Sequence, residues 1–125
     1  MITAVLYREG EDLTGCRAEG HSGWAEAGND IVCAAVSILT CTCVNALESV
    51  CGVIPRITEH NEKKGILAFE LPERTEAENE KAQILMKALR QGLEDLTTAY
   101  PLCPEARYPV NRPSSLYRTA VIITR

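Results

Sequence analysis

Two short runs of alternating apolar and polar residues open the chain. Residues 2–8 and 13–20 read as strands, joined across the polar turn Glu9-Gly10-Glu11-Asp12 into an antiparallel hairpin. Gly15 has no side chain to pack and marks a bulge in the second strand. Residues 20–30 break the alternation: Gly20, Gly23 and Gly28 stand among small and polar residues, which predicts a mobile loop. From Asp30 the period changes to that of a helix. Asp is a favoured N-cap, and Ile31, Val32, Ala34, Ala35, Val36, Ile38, Leu39, Val44, Leu47 and Val50 follow at helical spacing, apolar over most of the circumference. This helix is expected to be largely buried and to end near Gly52. Residues 53–60 and 66–71 read as a third and fourth strand around the turn Asn61-Glu62-Lys63-Lys64-Gly65, with Pro55 starting the third late or placing it at an edge. Residues 73–100 read as a second helix. Its apolar face is Ala82, Leu85, Leu89, Leu93 and Leu96, its solvated face carries Glu80, Lys81, Lys87, Arg90 and Glu94, and Pro101 stops it.

The order ββαββα predicts an α+β fold: a small mixed or antiparallel sheet with both helices packed on one face, plus a candidate C-terminal strand. The pattern assigns residues 1–102 to one domain. Residues 103–125 read as an atypical tail, with Pro104, Pro109 and Pro113 and a basic bias from Arg107, Arg112, Arg118 and Arg125. That tail is either disordered or in part a strand over residues 117–124.

Composition narrows the function classes. The net charge of −4 argues against a nucleic-acid surface and leaves a basic protein substrate open. No apolar run approaches bilayer-spanning length, and residues 1–7 lack the basic start and cleavage site of a signal peptide, so the expected location is cytoplasmic. In that compartment the six cysteines are expected to be reduced thiols rather than a disulfide framework.

The chemistry concentrates in one glycine-bracketed segment, from Gly20-His21-Ser22-Gly23-Trp24 through Gly28 and Asp30 to Cys33. It holds a base, a nucleophile and a hinged loop. With Asp30 as N-cap, Cys33 is the third helical residue, where unpaired N–H groups and the helix dipole favour a thiolate and can face an oxyanion. The bland reading of Cys33 is a small buried hydrophobe in an Ala-rich helix. His21 sits where strand gives way to loop, as base or as a partnerless loop histidine. Asp30 serves either as cap or as the group that orients His21. Ser37 shares a helix face with Cys33, and its hydroxyl either serves the site or bonds back to its own helix. Ser22, Gly23, Trp24 and Gly28 form the candidate substrate loop. No metal site is expected: Cys41 and Cys43 point roughly 200° apart on a helix, and His60 has no partner nearby in sequence. No cofactor motif is present, and no lysine follows the glycines to build a phosphate cradle. Cys-x-x-Cys pairs are absent, which weakens a redox reading.

The stretch Gly20-His21-Ser22-Gly23, then Gly28, then Asp30-Ile31-Val32-Cys33-Ala34-Ala35-Val36-Ser37, closely resembles the signature of the bacterial ribosomal-processing cysteine protease family, often called Prp. The resemblance covers roughly residues 1 to 101. It implies a small α+β homodimer that removes a short N-terminal extension, ending in an apolar, aromatic-containing motif, from ribosomal protein L-twenty-seven during ribosome maturation. The family's catalytic pair falls on His21 and Cys33, and its supporting acidic and hydroxyl positions on Asp30 and Ser37. The departure is residues 103–125, which do not resemble the acidic, β-branched strand that usually ends the family's chains.

Two functions follow. The first is a cysteine endopeptidase in which His21 deprotonates Cys33 and the glycine loop closes over the peptide. The second is a non-catalytic ribosome-associated module docking through an apolar sheet face.

Overall fold

The computed structural model describes residues 2–20 and 27–99 of the chain. The expected substrate-loop residues Ser22, Gly23 and Trp24, the expected base His21, and the tail with its candidate strand lie outside the described residues. The elements run β1 (Ile2–Glu9), β2 (Asp12–Gly20), α1 (Ala27–Ser49), β3 (Arg56–Asn61), β4 (Ile66–Glu70) and α2 (Glu76–Ala99). All neighbouring strands pair antiparallel, in the order β1-β2-β4-β3. This is the predicted ββαββα succession.

Strand alternation divides the sheet into two unlike faces. Ala4 pairs with Ala18, Leu6 with Cys16, and Cys16 in turn with Phe69. All five are buried in one core with Val36, Cys43 and Leu47 of α1 and Ala82, Met86, Leu89 and Leu93 of α2. The opposite face carries ion pairs, from Arg17 to Glu19 (2.6 Å) and Glu59 (3.2 Å) and from Arg56 to Glu70 (3.2 Å). The apolar sheet face that a docking module requires is therefore charged. The bulge expected at Gly15 is present: the β1–β2 register jumps between Tyr7 and Arg8, whose partners are Gly15 and Leu13.

Element ends differ from the sequence pattern for local reasons. Helix α2 begins at Glu76 because Thr75 builds a capping box. The Glu78 N–H donates to Thr75 Oγ1 (3.1 Å) and the Thr75 N–H donates to Glu78 Oε1 (2.8 Å). Those bonds hold the Glu78 carboxyl below its ordinary range. Strand β3 begins only at Arg56, because Val53 and Pro55 are buried in the connection behind it. Gly52, at φ 70°, ends α1 by returning its N–H to the Glu48 carbonyl (3.1 Å). Helix α1 is not largely buried, contrary to its sequence pattern. Val36, Thr40, Cys43 and Leu47 face inward, whereas Ala34, Ile38 and Cys41 are exposed. One helix face suffices to cover a four-stranded sheet shared with a second helix.

Candidate active site

The two walls of the candidate site come from distant parts of the sequence. Cys33, Val36, Ser37, Thr40 and Cys41 recur at helical spacing along α1 and line a cleft of about 340 Å³. Across it stands the β3–β4 hairpin, contributing His60, Asn61, Glu62 and Leu67, and Ala18 of β2 joins the lining. The ladder explains why His60 reaches the cleft: it pairs with Leu67, which pairs with Ala18, so all three project from the helix-bearing face. The hairpin turn is held by its own bonds. The Lys64 N–H donates to Asn61 Oδ1 (3.0 Å), and the Gly65 N–H donates to the Glu62 carbonyl (3.2 Å).

Cys33 is half-buried, packed against the core on one side and lining the cleft on the other. That position suits a thiol that is shielded yet reachable. The five described cysteines are thiols, in keeping with a reduced framework. Burial pushes the Cys16 and Cys43 thiols up to about 12, with a smaller contribution from a neighbouring cysteine in each case. These two are inert at neutral pH, so the chemistry passes to thiols that solvent can reach. Cys41 is exposed and lines the same cleft.

The start of α1 corrects part of the sequence-based picture. The helix begins at Ala27, so Asp30 lies inside its first turns rather than capping it. Gly28 belongs to the helix as well, not to the substrate loop. Cys33 becomes the seventh helical residue instead of the third. Its own N–H is then committed to the intrahelical ladder, and the dipole's influence has decayed by the second turn. Ala27 is a good helix former, while Gly28 and Asn29 only resemble a loop in the sequence. Ser37, one turn beyond Cys33, lines the cleft as the spacing predicted. Thr40 does not offer its hydroxyl, which donates to the Val36 carbonyl at 2.8 Å. His60 was set aside in the sequence for want of a neighbouring partner. The signal that places it in the cleft lined by Cys33 is strand alternation through two pairings, which requires knowing the strand order.

Among the described residues no cluster of His, Cys, Asp and Glu suits a metal ion. Among the same residues no helix is long and apolar enough to cross a membrane.

Known proteins share this fold. A family model described as cysteine protease Prp matches residues 1–103. The ribosomal processing cysteine protease Prp of Bacillus subtilis (strain 168) is 32% identical over 102 residues, covering 80% of this chain and 90% of that protein. The crystal structure of SMU.848 from Streptococcus mutans is 31% identical, with a TM-score of 0.75, covering 100% of this chain and 96% of that one. The fold also matches that of an essential ribosomal processing protease Prp from S. aureus in complex with a substrate peptide, at 20% identity and a TM-score of 0.74, covering 100% of both chains. A half-buried thiol at a cleft, carried on this fold in a sequence that the family model matches over residues 1–103, leads to one assignment: the chain belongs to the cysteine protease Prp family.

Proposed function

We propose that the chain is the endopeptidase that removes the N-terminal extension of ribosomal protein L-twenty-seven, with Cys33 as nucleophile and His21 as base. The observation that carries this reading is Cys33 itself, shielded by the core yet open to a cleft. Ala18 lines that cleft, and His21 follows it by three residues, a span of roughly 10 Å at full extension. That short tether supports His21 as the base for Cys33.

In this mechanism His21 takes the Cys33 proton and the thiolate attacks the scissile carbonyl. The same imidazole then protonates the departing amine, and water releases the acyl group from sulfur. Asp30, placed within the helix, serves by orienting His21 rather than by capping. Because Cys33 lies in the second turn of α1, the Ser37 hydroxyl, which lines the same cleft, supplies a hydrogen bond to the reacting carbonyl. Ser22, Trp24 and their neighbours close over the peptide. A basic substrate suits the acidic chain. Cytoplasmic location and assembly as a homodimer complete the reading, supported by kinship with the Prp family.

The test is mass spectrometry of ribosomal protein L-twenty-seven bearing its extension, incubated with the purified chain. Loss of the extension is the expected result. An unchanged mass under reducing conditions contradicts the proposal.

A further inference from the structure

The two walls of the cleft differ in charge. Among the described residues, helix α1 contributes uncharged groups to the lining, including Cys33, Ser37 and Cys41. Among the described residues the one carboxylate of the lining is Glu62, on the β3–β4 hairpin beside His60 and Asn61. Among the described residues no cation pairs with Glu62, although Arg17 and Arg56 on the opposite sheet face are both taken up by other carboxylates. Lys63 and Lys64, its neighbours in the turn, are not part of the lining. The turn that carries Glu62 is pinned by the Lys64–Asn61 and Gly65–Glu62 hydrogen bonds, and Gly65 at φ 66° sets its bend. The backbone that carries Glu62 is therefore fixed in the wall opposite the thiol-bearing helix.

We infer that Glu62 is a specificity residue that selects a basic side chain in the peptide bound along the cleft. This rests on the cleft being the peptide site. Binding brings the cation against a carboxylate that pairs with no cation among the described residues, and removes part of its water. His60 and Asn61 flank it as hydrogen-bonding groups for the rest of the peptide. An acidic side chain in the same position meets like charge and is rejected.

The experiment measures binding, so that it does not depend on turnover. Fluorescent peptides spanning the processed junction of ribosomal protein L-twenty-seven are made with Lys, Gln or Glu at each position flanking the bond. They are titrated against the full chain carrying Cys33→Ala, with and without Glu62→Gln or Glu62→Lys. At one position the Lys peptide should bind about fivefold tighter than the Gln peptide, the size expected of a screened ion pair. Raising the salt should shrink the difference, Glu62→Gln should erase it without changing the melting temperature, and Glu62→Lys should reverse it. A charge preference that is the same whichever residue occupies position 62, or no binding by any peptide of the series, overturns the inference. Cleavage of the same peptides by the native chain is scored separately. Cleavage without a preference dependent on residue 62 sinks the specificity claim and leaves the protease standing, whereas binding with that preference but no cleavage does the opposite.

Discussion

Gln83 of α2 holds both backbone hydrogen-bonding groups of Leu13 in β2. The Leu13 N–H donates to Oε1 at 2.8 Å and Nε2 donates to the Leu13 carbonyl at 2.8 Å. Strand β4 ends at Glu70, and the last bond it offers β2 is from the Leu71 N–H to the Thr14 carbonyl (2.8 Å). One residue further along, the amide of Gln83 stands in for the missing strand. Asn79 extends the arrangement, donating to Asp12 Oδ2 (3.0 Å) and accepting from Arg74 Nε (2.6 Å). The helix is thereby fastened to the hairpin whose far end leads to His21.

Replacing Gln83 with Leu keeps the volume and leaves a buried N–H and C=O without partners. The expected loss is about 2–4 kcal/mol, read from urea denaturation. A loss under about 0.5 kcal/mol would mean that water satisfies both groups and that the amide is dispensable.

Gly15 and Gly92 distinguish rigid from yielding neighbours. A Cβ at Gly15 would lie 2.7 Å from the backbone oxygen of Phe69, which cannot move without disturbing the β2–β4 ladder. At Gly92 the nearest atom, also at 2.7 Å, is the end of the Leu39 side chain, which can rotate away. Gly15→Ala should therefore cost about 1–3 kcal/mol. Gly92→Ala should cost clearly less, because Ala also favours the helix. Equal losses in thermal melts would refute this ranking.

The sequence was most legible where pattern is dense. Alternation gave the four strands, apolar periodicity gave both helices, and Gly15 gave the bulge. It was least legible where local propensity and tertiary cover disagree. Val53 looks like strand but is buried in a connection, and Ile38 looks like core but is exposed. The capping box at Thr75 and Glu78 was present in the sequence as Thr-x-x-Glu and could have fixed the start of α2. The start of α1 was hidden by Gly28 and Asn29, and this matters most, because it moves Cys33 one turn into the helix. Cys33 and Ser37 could be placed on one face by counting. His60 and Glu62 could not join them, since the register of β3 against β4 and β2 is set by packing.

Alkaline stability follows from the two buried thiols. Cys16 and Cys43 titrate at about 12 in the folded chain, against an ordinary value of 9.0. Below the ordinary value both states hold the proton and pH has no effect through these groups. Above it the unfolded chain releases protons that the folded chain keeps, so stability falls as pH rises from about 9 towards 12, by up to about 1.4 kcal/mol per pH unit for each thiol. Cys43→Ala should flatten the fall seen in denaturation midpoints across that window. An unchanged slope would show that burial does not hold the thiol neutral.

The two histidines should separate under alkylation. Iodoacetamide at neutral pH is expected to label Cys33 and the exposed Cys41, and to spare Cys16 and Cys43. His21→Ala should slow the labelling of Cys33 at least tenfold, whereas His60→Ala should change it by less than about threefold, since removing a general base typically costs on the order of a hundredfold or more in catalysis. The reverse pattern would make His60 the base.

The most direct test is the rate at which the extension of ribosomal protein L-twenty-seven is removed by the native chain, by Cys33→Ala and by Cys41→Ala, followed by intact-mass spectrometry. Cys33→Ala should show no processing over the background of the uncatalysed reaction, and Cys41→Ala should retain it. Processing by the Cys33→Ala chain at a rate near that of the native protein would contradict the assignment of the nucleophile.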